Sequence, residues 1–355
     1  MNRTYGSLII VIILVFSLIL AGCGKGNESN NLVVDVPDET MNPNNDVEEL
    51  DMPDRIIEPI MPFINPLTGI GTMTEMKERP IAVIVENQAQ ARPQDGLHKA
   101  DIVYEILAEG DITRFVAVFQ SQTPDVIGPV RSMRPYLAQL SHNFDALIVH
   151  AGWSQEGINY IVKHKLAHFD QVYGDDAYYW RDKSRKAPHN LYTSTKLIRE
   201  GAVKKKFREE WNSIGPKFYD ATNSQTITGQ PAASVKIHYI GKYHVGYEYD
   251  PILNRYNRSM IGEPHKDKTS STQLTADNIM VLFTKHKIVD KIGRRHIDVS
   301  GPGSGYLIQR GQLREITWDN KKGMITPYIN GTEAELLPGQ TWVQIVPEGS
   351  KVEFQ

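Results

Sequence analysis

Short apolar runs bounded by turn residues recur along the chain from about residue 80 onward, and their length predicts β-strands. The runs are rich in Val, Ile and Phe, whose branched or aromatic side chains suit a pleated, buried surface. In the first half of the chain they are Ile81–Val85, Ile102–Leu107, Phe115–Phe119 and Ala146–His150.

Apolar residues at helical spacing follow several of these runs. Leu137 and Leu140 come after Pro135 at such a spacing, and Ser154 is placed to cap a helix that continues through His164.

A third helix is predicted over Lys196–Trp211, with Thr193 or Ser194 as its cap, although Gly201 should weaken its middle. Because strands and helices alternate over residues 65–215, we predict an α/β N-terminal domain there.

The pattern changes beyond Gly215 and Pro216, where short strands are separated by Gly, Pro, Asn or charged turns. Asn330 and Gly331 form a hairpin signal. We predict a smaller, β-rich (α+β) C-terminal domain over residues 224–355. Its predicted strands are Val235–Ile240, Tyr243–Tyr249, Ile279–Thr284, Gly305–Arg310, Leu313–Trp318 and Trp342–Val346.

The apolar run at the N-terminus has a different character. Leu8–Leu20 follows the positive charge of Arg3 and is too short to cross a bilayer comfortably. It ends in Leu-Ala-Gly-Cys, the pattern of a bacterial lipoprotein signal; the alternative is an ordinary secretory signal. We therefore predict a signal peptide over residues 1–22 and a lipidated Cys23 that anchors the protein to the extracytoplasmic face of the bacterial cell membrane. Cys23 is the sole cysteine, which excludes disulfides and thiolate zinc sites.

Residues 23–64 are predicted to be a disordered acidic tether. Its first thirty or so residues are rich in Asn, Asp, Glu and Pro and cannot bury enough apolar surface to fold. Mutual repulsion of its carboxylates should hold the folded part away from the lipid, and the tether carries no polybasic patch. The whole chain has a formal net charge of −3, so no nucleic-acid partner is predicted.

Three arginines lie close together in the stretch Glu109–Tyr136. Arg114 opens an apolar run, and Arg131 and Arg134 follow a Gly-Pro turn. Arginines at strand ends and helix starts suit bidentate binding of phosphate or carboxylate. The alternative is that each one pairs only with a nearby Asp or Glu.

Other polar residues of the first domain could complete an anion-binding site. We add Asp111, His189 and Asn190 to the predicted ligand-binding residues; the imidazole could contact an anion, act as a general base or simply bind a loop carbonyl. The wider candidate set contains Glu109, His150, Ser154 and Arg185. No Gly-x-Ser-x-Gly elbow, P-loop or His-Glu-x-x-His motif occurs, so no catalytic residue, metal site or cofactor is predicted.

The chain contains an ordered set of motifs at Arg79–Asn87, Ala91–Leu97, Ala100–Glu105, Glu109–Phe115, Gly128–Tyr136 and Ala187–Thr193, with Tyr247–Arg258 and Leu336–Pro347 in the second predicted domain. This set resembles the motifs of the YerB-like bacterial lipoproteins. The resemblance implies two domains and a membrane anchor, and it supplies no catalytic residues, since the function of that family is largely unknown.

The layout of Ile112–Phe115 followed by Arg131–Arg134 is also similar to LytR-CpsA-Psr cell-wall ligases, in which arginines grip a lipid-linked pyrophosphate. The Arg-Ser-Asp-Thr and Pro-Arg-Asp strings of those enzymes are absent here. This likeness is one of fold-level layout only.

Three functions remain open at this point. The first is binding of an anionic cell-envelope ligand by the arginines, and the second is a non-catalytic protein–protein scaffold at the cell surface. The third is phosphoryl or glycosyl transfer, and only this third function would call for Mg²⁺.

Overall fold

The structure, a computed structural model, describes residues 61–220 and 226–355. The predicted signal peptide, Cys23 and nearly all of the predicted tether lie outside the described residues. Phe63 and Ile64, at the predicted end of the tether, pair with Gly71 and Thr72 in a small hairpin. Within the described ranges, no helix is both long and apolar enough to cross a membrane.

The first half of the described chain alternates between strands and helices. Its helices are α1 (Pro135–His142), α2 (Gln155–Lys163) and α3 (Thr195–Lys204). Its strands are β1 (Phe63–Ile64), β2 (Gly71–Thr72), β3 (Ile81–Glu86), β4 (Ile102–Leu107), β5 (Thr113–Phe119), β6 (Leu147–His150), β7 (His168–Asp170), β8 (Trp180–Arg181) and β9 (Leu191–Tyr192).

The second half is built from strands. They are β10 (Gln230–Pro231), β11 (Ser234–His238), β12 (His244–Asp250), β13 (Arg255–Met260), β14 (Glu263–Pro264), β15 (Thr275–Ala276), β16 (Asn278–Thr284), β17 (His286–Ile288), β18 (Arg295–Ile297), β19 (Gly303–Gln309), β20 (Gln312–Asp319), β21 (Thr326–Ile329), β22 (Thr332–Glu333), β23 (Thr341–Pro347) and β24 (Val352–Phe354). The chain is thus largely strand-rich with few helices.

A twelve-stranded mixed sheet contains strands from both halves, in the order β22-β21-β20-β19-β16-β23-β4-β5-β3-β6-β7, with β10 beside β20. The two halves meet where β23 pairs in parallel with β4, placing Thr341 opposite Ile102. Every residue of β3, β4 and β5 is buried, which explains their continuous apolar runs in the sequence.

A second, six-stranded antiparallel sheet has the order β14-β13-β12-β11-β24, with β15 beside β13. Its strands alternate between buried and less buried positions, as expected for a sheet with one face on the core. Two short hairpins, β8–β9 and β17–β18, form separate two-stranded sheets.

The predicted strands and helix caps correspond to elements of the structure, but α3 is shorter than predicted. Ser194 caps α3 by accepting a hydrogen bond from the backbone N–H of Leu197. The helix ends at Lys204 because Lys206 adopts a φ of 56° and Phe207 N donates to the carbonyl oxygen of Ala202. This Schellman-type ending requires a left-handed residue, which Lys206 supplies without the usual glycine signal.

Gly201 permits close packing of α3, so we expect Gly201→Ala to lower the free energy of unfolding. An added Cβ would lie 2.6 Å from a ring carbon of Phe169 and 2.9 Å from one of Tyr178. Overpacking of a buried site typically costs about 1–3 kcal/mol, more than the roughly 1 kcal/mol of helix propensity that alanine adds. Urea unfolding would measure the change, with exposed Val203→Ala as the control. A more stable Gly201→Ala variant would contradict this packing.

Candidate functional site

Glu109 lies just after β4 and binds two of the three predicted arginines. Arg114 donates to Glu109 Oε2 at 2.7 Å, and Arg134 Nε donates to Oε1 at 2.5 Å. Arg114 also donates to the backbone oxygen of Ser132. Burial lowers the pKa of Arg114 to about 10, with neighbouring Arg134 acting in the same direction. One carboxylate therefore brings Arg114 and Arg134 together.

Glu86, at the end of β3, holds the third arginine together with the predicted histidine. His189 Nδ1 lies 3.0 Å from Glu86 Oε2, and Arg131 Nε lies 3.0 Å from Oε1. The Arg131 N–H is not directed for a hydrogen bond, so this contact is an ion pair only. The Glu86 side chain is almost completely buried. Arg131 and His189 thus share a second carboxylate.

The other two predicted ligand-binding residues are placed differently. Asp111 is exposed in the turn between β4 and β5. Asn190 is buried, donates to the backbone oxygens of Asp182 and Arg185, and accepts from Arg181. Its contacts are those of a residue that shapes its own loop.

The wider candidates also have structural partners. His150 is buried, stacks on His168 and contacts it through Nε2 at 3.1 Å, and burial lowers the His150 pKa to about 4. Ser154 caps α2. Arg185 donates to the backbone oxygens of Ala91 and Pro93.

A cavity of about 300 Å³ opens beside Arg134, between the starts of α1 and α2 and the β17–β18 hairpin. This volume is at the lower end of the range for small-molecule sites. Helix α1 begins at Pro135, and no side chain of the described residues caps its first turn. The positive end of the helix dipole therefore adds to the positive electrostatic potential in the cavity. The lining residues are Arg134, Pro135, Tyr136, Gln139, Ser154, Glu156, Val289, Asp290, Arg294, Arg295, His296 and Ile297.

Arg295 and Tyr136 both line this cavity, and each has a buried donor without a hydrogen-bond partner among the described residues. Arg295 donates one N–H to the backbone oxygen of Gly110 at 2.7 Å, but its buried Nε has no hydrogen-bond partner within residues 61–220 and 226–355. Among the described residues, no carboxylate lies within ion-pair distance of Arg295, whereas Arg134 pairs with Glu109 and Arg294 with Asp290 at 3.4 Å.

The Tyr136 hydroxyl is also buried and has no hydrogen-bond partner in the part of the chain that the structure describes. Burial raises the pKa of Tyr136 to about 12, while the positive charges of Arg114, Arg134 and Arg295 act against this rise. The phenol is therefore a neutral donor at physiological pH. A buried donor without a partner costs about 1–3 kcal/mol, which an anion bound between Tyr136 and Arg295 would relieve.

A second cavity, of about 190 Å³, lies elsewhere, near Asp95 and Asp267. His98 Nδ1, the Gly96 N–H and the Ser270 hydroxyl all bind the Asp267 carboxylate, so that group is already satisfied. Over residues 61–220 and 226–355, no group of three or more His, Cys, Asp or Glu side chains is arranged to hold a metal ion.

The cavity beside Arg134 combines a predicted residue with residues that sequence reasoning missed. Neither His189 nor Asp111 is among its lining residues. Arg294 and Arg295 come from a hairpin about 160 positions further along the chain, so no local motif joined them to Arg134. The sequence signal was the pair Arg294 and Arg295 shortly before Ile297, and such a basic pair is typical of a solvent-exposed turn.

Two family models match this chain. The model for the N-terminal domain of a protein of unknown function (DUF3048) matches residues 67–208. The model for the C-terminal domain of the same family matches residues 235–343.

The chain is also similar to a named relative and to a solved structure. It is 39% identical over 293 residues to "Putative lipoprotein YerB" of Bacillus subtilis (strain 168), covering 80% of this chain and 86% of the relative. Its fold is similar to the crystal structure of the YerB protein from Bacillus subtilis, with a TM-score of 0.74 and 36% identity over 82% of this chain and 99% of that chain.

Proposed function

Since this chain belongs to the two-domain DUF3048 family, whose function is unknown, we propose that it is a lipoprotein that binds an anionic cell-envelope ligand. Cys23 would carry the lipid and anchor the protein to the extracytoplasmic face of the cell membrane. The lipoprotein name of the Bacillus subtilis relative and the Leu-Ala-Gly-Cys pattern support the anchor.

The ligand group would be a phosphate or carboxylate that enters the cavity beside Arg134. The observation that carries this proposal is that Arg295 lines the cavity and has no carboxylate partner among the described residues. A partly buried cation is stable when an anion neutralises it, and a guanidinium matches phosphate and carboxylate geometry. Tyr136 would donate the neutral hydrogen bond.

The site differs in composition from the three-arginine cluster expected from the sequence. In this proposal Arg134 contacts the ligand, and Arg114 positions Arg134 by sharing Glu109 with it. Arg131, held with His189 on Glu86, would lie outside the contact group. The scaffold and transferase functions remain alternatives, but the unsatisfied donors favour binding because they suit an anion directly.

Calorimetric titration with inorganic pyrophosphate tests the proposal on residues 59–355, which form one compact unit. We expect wild-type protein to bind pyrophosphate and Arg295→Gln to bind it about tenfold or more weakly, since hydrogen bonds to charged groups contribute about 1.5–3 kcal/mol. Tyr136→Phe should weaken binding less, because its donor is neutral.

Arg199→Gln is the matched control. Arg199 lies on α3, pairs with Glu78 at 3.4 Å and does not line the cavity. Its loss should leave pyrophosphate affinity unchanged. Equal affinities of wild type and Arg295→Gln, or no binding by wild type at millimolar pyrophosphate, would exclude this site.

A further inference from the structure

The β17–β18 hairpin carries exposed aliphatic side chains at its tip. Ile288 is 57% exposed, Val289 55% and Ile292 66%. Three such residues within five positions form a concentrated apolar patch, and patches of this kind mark sites of interaction with proteins or membranes.

The tip is held in a defined shape. Val289 N donates to the backbone oxygen of Arg294 at 2.8 Å, and Asp290 Oδ1 accepts from the backbone N–H groups of Ile292 and Arg294. Gly293 supplies the positive φ that the turn requires. The aliphatic side chains are thus presented by an ordered turn, which lowers the entropy lost on docking.

The same hairpin is strongly basic. Residues 285–297 contain five Lys or Arg and one Asp, a formal charge of +4 with His neutral, in a chain of net charge −3. The basic residues are Lys285, Lys287, Lys291, Arg294 and Arg295, of which all but Arg295 are exposed. Basic side chains that alternate with exposed aliphatic ones are complementary to a partner with a negatively charged surface and an apolar layer directly below it.

We propose that this hairpin docks on an anionic phospholipid bilayer. Ile288 and Ile292 would enter the boundary between headgroups and acyl chains, and the lysines would contact the lipid phosphates. Charge complementarity selects this partner over a neutral protein surface. The docking would fix the orientation of the folded unit on the membrane, in place of the separation from the lipid expected from the acidic tether. The cavity beside Arg134 would then lie along one side of the docked hairpin.

This proposal does not rest on the proposed ligand site. Lys287, Ile288, Lys291 and Ile292 lie outside the cavity lining, so they can be changed without altering it.

Vesicle flotation tests the docking with residues 59–355, which exclude Cys23 and so remove the lipid anchor from the measurement. We expect wild-type protein to float with vesicles of phosphatidylglycerol and phosphatidylcholine, to stay behind with phosphatidylcholine alone, and to bind less at high salt. Ile288→Ser with Ile292→Ser, and separately Lys287→Glu with Lys291→Glu, should each lower binding about tenfold or more.

The β12–β13 turn offers a matched control. Ile252 is 88% exposed and Leu253 59%, yet this turn lacks the surplus of basic residues. Ile252→Ser with Leu253→Ser should float as wild type does. Three results would each overturn the proposal. They are failure of wild type to float with anionic vesicles, normal flotation of Ile288→Ser with Ile292→Ser, and an equal loss of vesicle binding in this variant and in Ile252→Ser with Leu253→Ser.

Pyrophosphate titration of Ile288→Ser with Ile292→Ser separates the two proposals. We expect an unchanged affinity, because the cavity lining is intact. If this variant loses vesicle binding but binds pyrophosphate normally, the result supports the docking proposal and leaves the ligand-site proposal unaffected.

Discussion

Arg258→Met is expected to lower the free energy of unfolding by about 3–5 kcal/mol, because it leaves a buried carboxylate without its cation. Arg258 on β13 and Glu105 on β4 form an ion pair at 2.5 Å, and both side chains are completely buried. Arg258 also lies over the ring of Trp342, 4.4 Å from its centroid. The pair joins the second sheet to the twelve-stranded sheet, so its loss should affect the whole unit.

The surrounding network explains why both charges are tolerated. Glu105 Oε1 accepts from Thr113 at 2.8 Å and from Tyr243 at 2.5 Å. Arg258 donates to His265 Nδ1, so the neutral imidazole carries its proton on Nε2 and donates to Gln94 at 2.9 Å. Burial, together with the charge of Arg258, lowers the pKa of His265 well below its ordinary value, which keeps this tautomer neutral.

Urea unfolding followed by tryptophan fluorescence would measure the effect. Arg255→Met is the control on the same strand: Arg255 is 44% exposed and lies 3.6 Å from Asp277, so its loss should cost about 1 kcal/mol or less. Adding Glu105→Gln to Arg258→Met should restore part of the stability, since the unpaired charge is removed. An Arg258→Met variant no less stable than Arg255→Met would contradict this description of the network.

Glu109→Gln is expected to lower the stability of the protein and to raise its affinity for pyrophosphate. We expect the free energy of unfolding to fall by about 3 kcal/mol, because the Arg114 guanidinium, with a side chain only 7% exposed, loses its carboxylate. We expect pyrophosphate to bind more tightly, because the amide oxygen of the variant can still accept from Arg134 and position it, while the positive charge of Arg134 is no longer neutralised.

The two effects can be measured on one preparation, by urea unfolding and by calorimetric titration at a temperature where the variant stays folded. Neighbouring Asp111→Asn is the stability control, because Asp111 is exposed and surface changes usually stay within about 0.5 kcal/mol. Weaker pyrophosphate binding by folded Glu109→Gln would count against a contact between Arg134 and the ligand.

The sequence was sufficient to predict the strands at the centre of the twelve-stranded sheet, whereas β13 and β21 were not predicted. Ile102–Leu107 is an apolar run of strand length, and it forms β4 with those bounds. Local turn chemistry was equally informative at Asn330 and Gly331, which adopt positive φ angles in the hairpin between β21 and β22. These features depend on residues that are close together in the sequence, so local sequence patterns predict them.

Pairings between distant segments could not be predicted in this way. The parallel contact of β23 with β4 joins residues about 240 positions apart and leaves no periodic signal. The arginine cluster shows the same limit, because Glu86 at the end of β3 and Glu109 in the turn after β4 decide which arginines come together. The predicted division of the chain near Gly215 and the roles of the predicted ligand-binding residues stay predictions.

The most direct test of the anion site is a crystal structure of residues 59–355 grown with inorganic pyrophosphate. We expect the ligand between the Tyr136 hydroxyl and Arg295 Nε, with Arg134 in contact. Pyrophosphate bound instead beside Arg131 and His189, with the cavity at Arg134 accessible but empty, would contradict the proposed site.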